Sequence, residues 1–167
     1  GYTGRKDYVD SEGNAWKPAA EFVIRSGYGR DVFKDALWTE RRTMYIGNTD
    51  DPELYRYGIH GKEFWVNLTV GPGKYRVRLL FANTPLHWFL EQDPEGGFMK
   101  HVLNADINGE RVISELNVDD AAGGTFRAYD AVFEGIEPKH GIIEVKLTGV
   151  GEREAILQAL EVTPMAE

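Results

Sequence analysis

The middle of the chain has an apolar residue at every second position, and this period constrains the fold more than any other feature. In residues 63–69 and again in residues 74–82, every second side chain is apolar. Successive side chains of an extended strand point to opposite faces, so a period of two predicts strands with one buried face. The turn Val70-Gly71-Pro72-Gly73 lies between the two segments. Proline presets φ and glycine permits positive φ, so we predict that the two segments form an antiparallel hairpin.

Five later segments also have strand character. We predict strands over residues 99–107, 111–118, 125–133, 142–147 and 156–162. Asn108-Gly109 lies between the first two and is a strong signal for a tight hairpin turn. Turn residues recur about every 8–12 residues, which is the spacing typical of a β-sandwich or a β-barrel.

The first 60 residues have weaker patterns. Residues 22–25 and 43–46 fit short strands, and residues 31–41 fit either a short helix or a loop. Acidic residues followed by a proline predict one helical turn over residues 50–55. No linker composition and no internal repeat interrupts the chain, so we predict one domain over residues 1–167.

A long segment between two predicted strands fits neither a helix nor a strand. Residues 83–97 contain two prolines, a glycine pair and the aromatic side chains Trp88 and Phe89. Loops of this length are usually functional or disordered, and the aromatic content argues against disorder. Either the two rings fold back onto the core, or they form an exposed platform. A platform fits carbohydrate, because the apolar faces of sugar rings pack on aromatic rings while polar side chains bind the hydroxyl groups.

Charge and motif content argue against several other functions. The formal net charge is -8, whereas a nucleic-acid partner requires a basic face. No run approaches the ~18 apolar residues of a membrane span. The chain has no cysteine, its four histidines lack metal-binding spacing, and it contains no P-loop, G-x-G-x-x-G or G-x-S-x-G motif. We therefore assign no catalytic residue and no metal ligand, and we predict neither a nucleic-acid nor a membrane partner.

Two acidic clusters, residues 48–53 and 117–120, are rich in carboxylate and amide oxygens. Neither has the spacing of an EF-hand loop. We interpret both as caps and turns, with a structural calcium ion as the alternative. No other cofactor is predicted.

Four ordered segments together resemble the malectin-like carbohydrate-binding modules, and the resemblance covers the chain from Tyr8 to Val162. The first contains Asp10, Gly13 and Trp16, similar to an early D-x-x-G-x-x-aromatic motif of the family. The others are residues 54–58 followed by the strand at residue 64, residues 75–82 continuing into 102–109 and 121–124, and residues 155–162.

The resemblance implies an all-β fold, namely a jelly-roll-like antiparallel β-sandwich with long ligand-binding loops at one end. Trp16 and Tyr28 match the early aromatic positions of the family's sugar site. After the strand that ends at Ala82 the chain continues with Asn83, and its aromatic pair is displaced to Trp88 and Phe89. Arg153 stands where the family has an acid before the last strand, and Glu154 follows it. The predicted carbohydrate-binding residues are therefore Trp16, Tyr28, Asn83, Trp88, Phe89, Arg153 and Glu154.

The expected function is that of a non-catalytic carbohydrate-binding module for an oligosaccharide or polysaccharide. Residues 1–4 look like a cut into a longer protein, so we expect a parent polypeptide with a catalytic domain that degrades polysaccharide. Such enzymes imply a bacterial protein that is secreted, periplasmic or on the cell surface. One alternative is a structural or protein-interaction sandwich that orients a neighbouring catalytic domain. Another is a small hydrolase, which requires two facing carboxylates about 5–10 Å apart.

Overall fold

The computed structural model describes residues 1–18, 37–39, 43–85, 93 and 95–166, and for residues 37–39 it describes the backbone alone. The predicted strand over residues 22–25 lies outside these ranges. So do three predicted site residues, Tyr28, Trp88 and Phe89.

Strands dominate the described part of the chain. They are β1 (Tyr8–Val9), β2 (Ala15–Trp16), β3 (Leu37–Thr39), β4 (Gly58–Gly61), β5 (Glu63–Thr69), β6 (Tyr75–Phe81), β7 (Val102–Ile107), β8 (Glu110–Asn117), β9 (Tyr129–Ile136), β10 (Ile142–Gly149), β11 (Ala155–Leu157) and β12 (Ala159–Pro164). One short helix, α1 (Val118–Ala122), follows β8, and a 3-10 turn (Pro52–Tyr55) precedes β4.

The strands form an antiparallel β-sandwich, which confirms the predicted fold class. One layer has the strand order β5-β10-β7-β8 and the other has the order β12-β6-β9. Buried side chains from both layers, among them Phe64, Val145, Leu79 and Phe81, belong to one hydrophobic cluster. Burying an aliphatic or aromatic side chain of this size contributes about 1.5–3 kcal/mol. Two smaller sheets, β11-β4-β3 and β1-β2, complete the fold.

The predicted hairpin between residues 63–69 and 74–82 is wrong, although both strands exist. β5 pairs with β10, whereas β6 pairs with β9 and β12. Residues 70–73 therefore carry the chain from one layer to the other. The alternating pattern requires only that each strand buries one face. Two strands that face the same core from opposite layers satisfy that requirement as well as two neighbours in one sheet.

The predicted strand over residues 156–162 is divided between two sheets. β11 pairs with β4 and β12 pairs with β6, and the chain changes sheet at Gln158. The Gln158 side chain is fully buried. Its Nε2 donates to the Ala82 carbonyl at 2.7 Å, and its Oε1 accepts from the Ala82 N–H at 2.8 Å. Gln158 thus replaces the strand partner that Ala82 would otherwise lack.

The Asn108-Gly109 turn is confirmed. It joins β7 to β8, and its two residues have φ of 52° and 82°. These left-handed values at both positions are those of a type I′ turn, which Asn-Gly favours.

The predictions for the early and middle segments had mixed outcomes. The helical turn predicted over residues 50–55 is present as the 3-10 turn, with its proline in the first turn. Residues 43–46 are not a strand, and Gly47 instead forms an isolated bridge with Arg127. Within the segment 31–41, the described residues 37–39 are strand β3 rather than helix. The strand predicted over 125–133 begins later, at Tyr129, and extends to Ile136.

Candidate functional site

An ion pair joins two loops at one end of the sandwich. We call the segment 83–97, of which the structure describes residues 83–85, 93 and 95–97, the long loop, and residues 150–154 the closing turn. Arg153 of the closing turn donates from Nε and Nη2 to the two carboxylate oxygens of Asp93, both at 2.8 Å. The Asp93 side chain is fully buried, and its carboxylate also accepts the backbone N–H groups of Glu95 and Lys100. These bonds, with that from Arg153 the strongest, hold the pKa of Asp93 well below its usual range.

Glu154, the next residue, connects the closing turn to two histidines. Its Oε2 shares a hydrogen bond of 2.5 Å with His60 Nδ1, and its carbonyl oxygen lies 3.0 Å from His101 Nδ1. The two imidazole rings are 6.3 Å apart in an edge-on arrangement. The bond from His60 lowers the pKa of Glu154, so the carboxylate remains ionised at neutral pH.

Asn83 begins the long loop and is 1% exposed. Its Nδ2 donates to the Met99 carbonyl and to Asp119 Oδ2, each at 2.8 Å. Among the described residues, neither Asn83 Oδ1 nor Asp119 Oδ1 has a hydrogen-bond partner, although both atoms are buried. Burial raises the pKa of Asp119 despite the hydrogen bond from Asn83. Buried acceptors without a donor are costly, so these two oxygens are suited to a hydroxyl group or a water molecule as donor.

Residues 99–101 contact the ion pair, the closing turn and Asn83, and so connect these parts of the site. Met99 contacts Asn83, the backbone N–H of Lys100 contacts Asp93, and His101 contacts Glu154. The structure therefore brings together three of the predicted site residues, which are Asn83, Arg153 and Glu154.

Phe98 is 44% exposed. It directly precedes Met99 and Lys100, whose backbone groups contact Asn83 and Asp93. The sequence prediction missed Phe98 because this residue lies between the loop 83–97 and the strand predicted from residue 99, where a single aromatic looks like core. It considered His60 and His101 only as metal ligands. The available signal was their position: residues that flank a predicted loop at a strand end tend to meet at one end of a sandwich.

Trp16 is buried instead of lying on a binding surface. Its ring is 4% exposed, and its Nε1 donates to Asp10 Oδ2 at 2.8 Å. The Asp10 carboxylate also accepts the backbone N–H groups of Glu12 and Asn14. Burial alone would raise the pKa of Asp10, but these hydrogen bonds, that from Trp16 foremost, lower it. The early motif therefore builds the β1–β2 hairpin, and its tryptophan is not placed to stack on a sugar.

The two acidic clusters, residues 48–53 and 117–120, cap a helix and hydrogen-bond to neighbouring segments. Asp51 accepts hydrogen bonds from the Tyr8 hydroxyl and from the N–H and hydroxyl of Ser11. Asn117 accepts the N–H groups of Asp119 and Asp120 and so caps α1. Within the described ranges, no group of three or more histidine, aspartate or glutamate side chains is arranged to hold a metal ion.

Comparison with solved structures gives neighbours of the same fold. The extracellular domain of ANXUR2 from Arabidopsis thaliana matches with a TM-score of 0.71 and 15% identity, over 98% of this chain and 47% of that chain. The extracellular domain of ANXUR1 from the same plant matches with a TM-score of 0.70 and 14% identity, over 98% of this chain and 46% of that chain. A β-glucuronidase of Bacteroides uniformis matches with a TM-score of 0.64 and 17% identity, over 96% of this chain and 17% of that chain.

At such identities the likeness establishes the fold alone, and the chain spans less than half of each of these neighbours. A comparison with curated protein sequences gave no match. No helix in the described part of the chain is long and apolar enough to cross a membrane. The model of the malectin domain, however, matches residues 3–163, which is nearly the whole chain. The chain therefore belongs to the malectin domain family.

Proposed function

We propose that this malectin domain is a non-catalytic carbohydrate-binding module whose ligand site lies between the long loop and the closing turn. The observation that carries the proposal is the cluster at this end of the sandwich. Phe98 is exposed and directly precedes residues 99–101, which contact Asn83, Asp93 and Glu154. His60 and Arg153 complete this set of fixed donors and acceptors through their bonds to Glu154 and Asp93. Carbohydrate sites combine these two kinds of group, because a sugar has apolar ring faces and a rim of hydroxyl groups.

The bonds within the cluster favour binding over catalysis. Arg153 neutralises Asp93, and His60 engages Glu154. A glycosidase needs two carboxylates that face one another across a substrate and have different protonation states. Both of these carboxylates are held ionised by their cationic or imidazole partners, so neither is poised to donate a proton.

The expected setting is a longer, exported polypeptide. The matched region of the Bacteroides uniformis β-glucuronidase is a small part of that chain, and the ANXUR neighbours are extracellular domains. By analogy, we propose that the module accompanies a catalytic domain of its parent polypeptide and acts outside the cytoplasm, in a secreted, periplasmic or surface-bound bacterial protein.

Titration calorimetry tests the proposal against a panel of oligosaccharides from plant and bacterial polysaccharides. We expect at least one ligand to bind, and we expect Phe98→Ala and Glu154→Gln each to weaken it by about tenfold. Trp88→Ala tests the aromatic pair of the long loop in the same way. Val132→Ala is the matched control, because Val132 is 46% exposed but lies in β9, outside the cluster.

Absence of binding to every glycan in the panel contradicts the proposed function. Binding that is insensitive to Phe98→Ala and Glu154→Gln contradicts the proposed site while leaving the function in place. In both variants the urea midpoint must match the wild type, so that a loss of affinity is not a loss of folding.

A further inference from the structure

A second exposed aromatic ring lies on a short segment whose backbone is fixed. Tyr45 is 83% exposed. Gly47 N–H donates to the Phe126 carbonyl at 2.8 Å, and the Gly47 carbonyl accepts from Ala128 N–H at 2.9 Å. Asn48 Nδ2 donates to the Ala122 carbonyl at 2.8 Å. The segment thus presents a large, exposed side chain next to a backbone that is fixed at residues 47 and 48, and folding gains no core packing from this side chain.

A cationic side chain accompanies this ring. A Cβ atom at Gly47 would lie 3.3 Å from Arg127 Cγ and 3.6 Å from Tyr45 Cε1, so both side chains pass over the same glycine. Arg127 then runs toward Gly124, where a Cβ atom would lie 3.7 Å from its Nε. Arg127 is exposed, and among the described residues no carboxylate is paired with it. In a chain of net charge -8, an arginine that lies beside a tyrosine and pairs with no described carboxylate is a local cationic site.

Phe126, whose backbone is strained, connects Tyr45 and Arg127 to the proposed site through its backbone hydrogen bonds. Phe126 has φ of 57°, a left-handed value that is unusual for a bulky residue. Its N–H donates to the Asn83 carbonyl at 2.9 Å, and its carbonyl accepts from Gly47. Strained residues concentrate where function needs a particular geometry. Asn83, Phe126 and Gly47 lie on three adjacent backbone segments, so Gly47, two residues after Tyr45, is roughly 10 Å from the start of the long loop.

We propose that Tyr45 and Arg127 form a second subsite that binds an acidic sugar residue of the same glycan. The Tyr45 ring packs against the apolar face of the sugar, and the Arg127 guanidinium pairs with its carboxylate through two parallel hydrogen bonds. The inference rests on the proposed function and adds a ligand class to it, namely an oligosaccharide that contains a uronic acid. The separation from the first site requires more than one sugar ring.

The test compares uronic acid oligosaccharides with their methyl esters by titration calorimetry. Oligogalacturonides, oligoglucuronides and alginate oligomers of equal length are each used in both forms, because esterification removes the charge and keeps the ring. We expect at least one acid form to bind about tenfold more tightly than its ester. Arg127→Gln abolishes this preference, and Tyr45→Ala weakens acid and ester alike. The preference also falls with added salt, because an exposed charge pair is screened.

Arg111→Gln is the matched control for charge, because its side chain is 47% exposed but lies in β8 and is paired with Asp106. It must leave the preference unchanged. Equal affinity for every acid form and its ester, or a preference that survives Arg127→Gln, overturns the second subsite. If neutral glycans then still bind in a manner that depends on Phe98, the proposed function stands without the second subsite. If no saccharide binds at all, both proposals fail.

Discussion

Gln158 offers the sharpest test of how the sandwich holds the end that carries the proposed site. The side chain lies at the point where the chain passes from β11 to β12, and it bonds both the N–H and the carbonyl of Ala82. Ala82 is fully buried and immediately precedes Asn83. Gln158→Met keeps the length and volume of the side chain but removes both bonds.

The expected loss of stability follows from the two orphaned groups. A buried backbone N–H or C=O without a partner costs about 1–3 kcal/mol. The substitution also removes the cost of desolvating the glutamine amide, which offsets part of the loss. We expect a net decrease of about 3 kcal/mol in the free energy of unfolding. With a urea slope of about 2 kcal/mol per molar, the midpoint falls by about 1.5 M.

Gln158→Glu distinguishes the effect of the hydrogen bonds on stability from the effect of packing, because the side chain keeps nearly the same shape. A neutral carboxyl group can donate to the Ala82 carbonyl and accept from its N–H, whereas a carboxylate can only accept. Burial therefore raises the pKa of the new glutamate in the folded state above its unfolded value of about 4.3. A raised folded pKa means that the stability is present in acid and lost as the pH rises. We expect the deficit of Gln158→Glu relative to the wild type to be smaller at about pH 4 than at about pH 7.5.

Urea unfolding followed by tryptophan fluorescence measures all three proteins, since Trp16 is buried and its emission shifts on unfolding. A change below about 0.5 kcal/mol for Gln158→Met would refute the reasoning, because such a change is typical of a surface position. A pH-independent deficit for Gln158→Glu would show that the site admits water.

Two further predictions concern the ion pair and the buried tryptophan. The pKa of Asp93 is lowered in the folded state, so its contribution is present at neutral pH and lost as the pH falls below about 4. The difference in unfolding free energy between the wild type and Asp93→Asn should therefore shrink between about pH 6 and pH 2.5, and a constant difference would contradict this. Trp16→Phe should cost about 2 kcal/mol of stability through the lost bond to Asp10 and a small cavity. It should leave glycan affinity unchanged, and a loss of affinity at equal stability would return Trp16 to the binding site.

Local chemistry in the sequence was sufficient for some elements and insufficient for the pairing of others. The β7–β8 hairpin was predictable, because Asn108-Gly109 determines a turn whose strands are neighbours in sequence. The partners of β5 and β6 were not, because each pairs with strands far along the chain and the alternation is the same in either layer. The sequence did not indicate the role of Gln158, since that role depends on the backbone of Ala82, which is 76 residues away.

The residues of the candidate site were also predictable only in part. The resemblance drew attention to Asn83, Arg153 and Glu154, and the structure places all three at one end of the sandwich. It also drew attention to Trp16, which shows that an aromatic at a matching position can serve the core. Phe98 was missed because exposure is a property of the folded chain, and a single aromatic beside a predicted strand looks like core.

The Asp93–Arg153 pair has a consequence for how such domains change their ligands. It joins two loops that are 60 residues apart in the chain. Transplanting the long loop alone into a relative would bring a buried carboxylate without its cation, and transplanting the closing turn alone would do the reverse. Removing one partner of a buried pair is far more costly than exchanging both. The two loops therefore have to be exchanged together, both in evolution and in the design of recombined malectin domains.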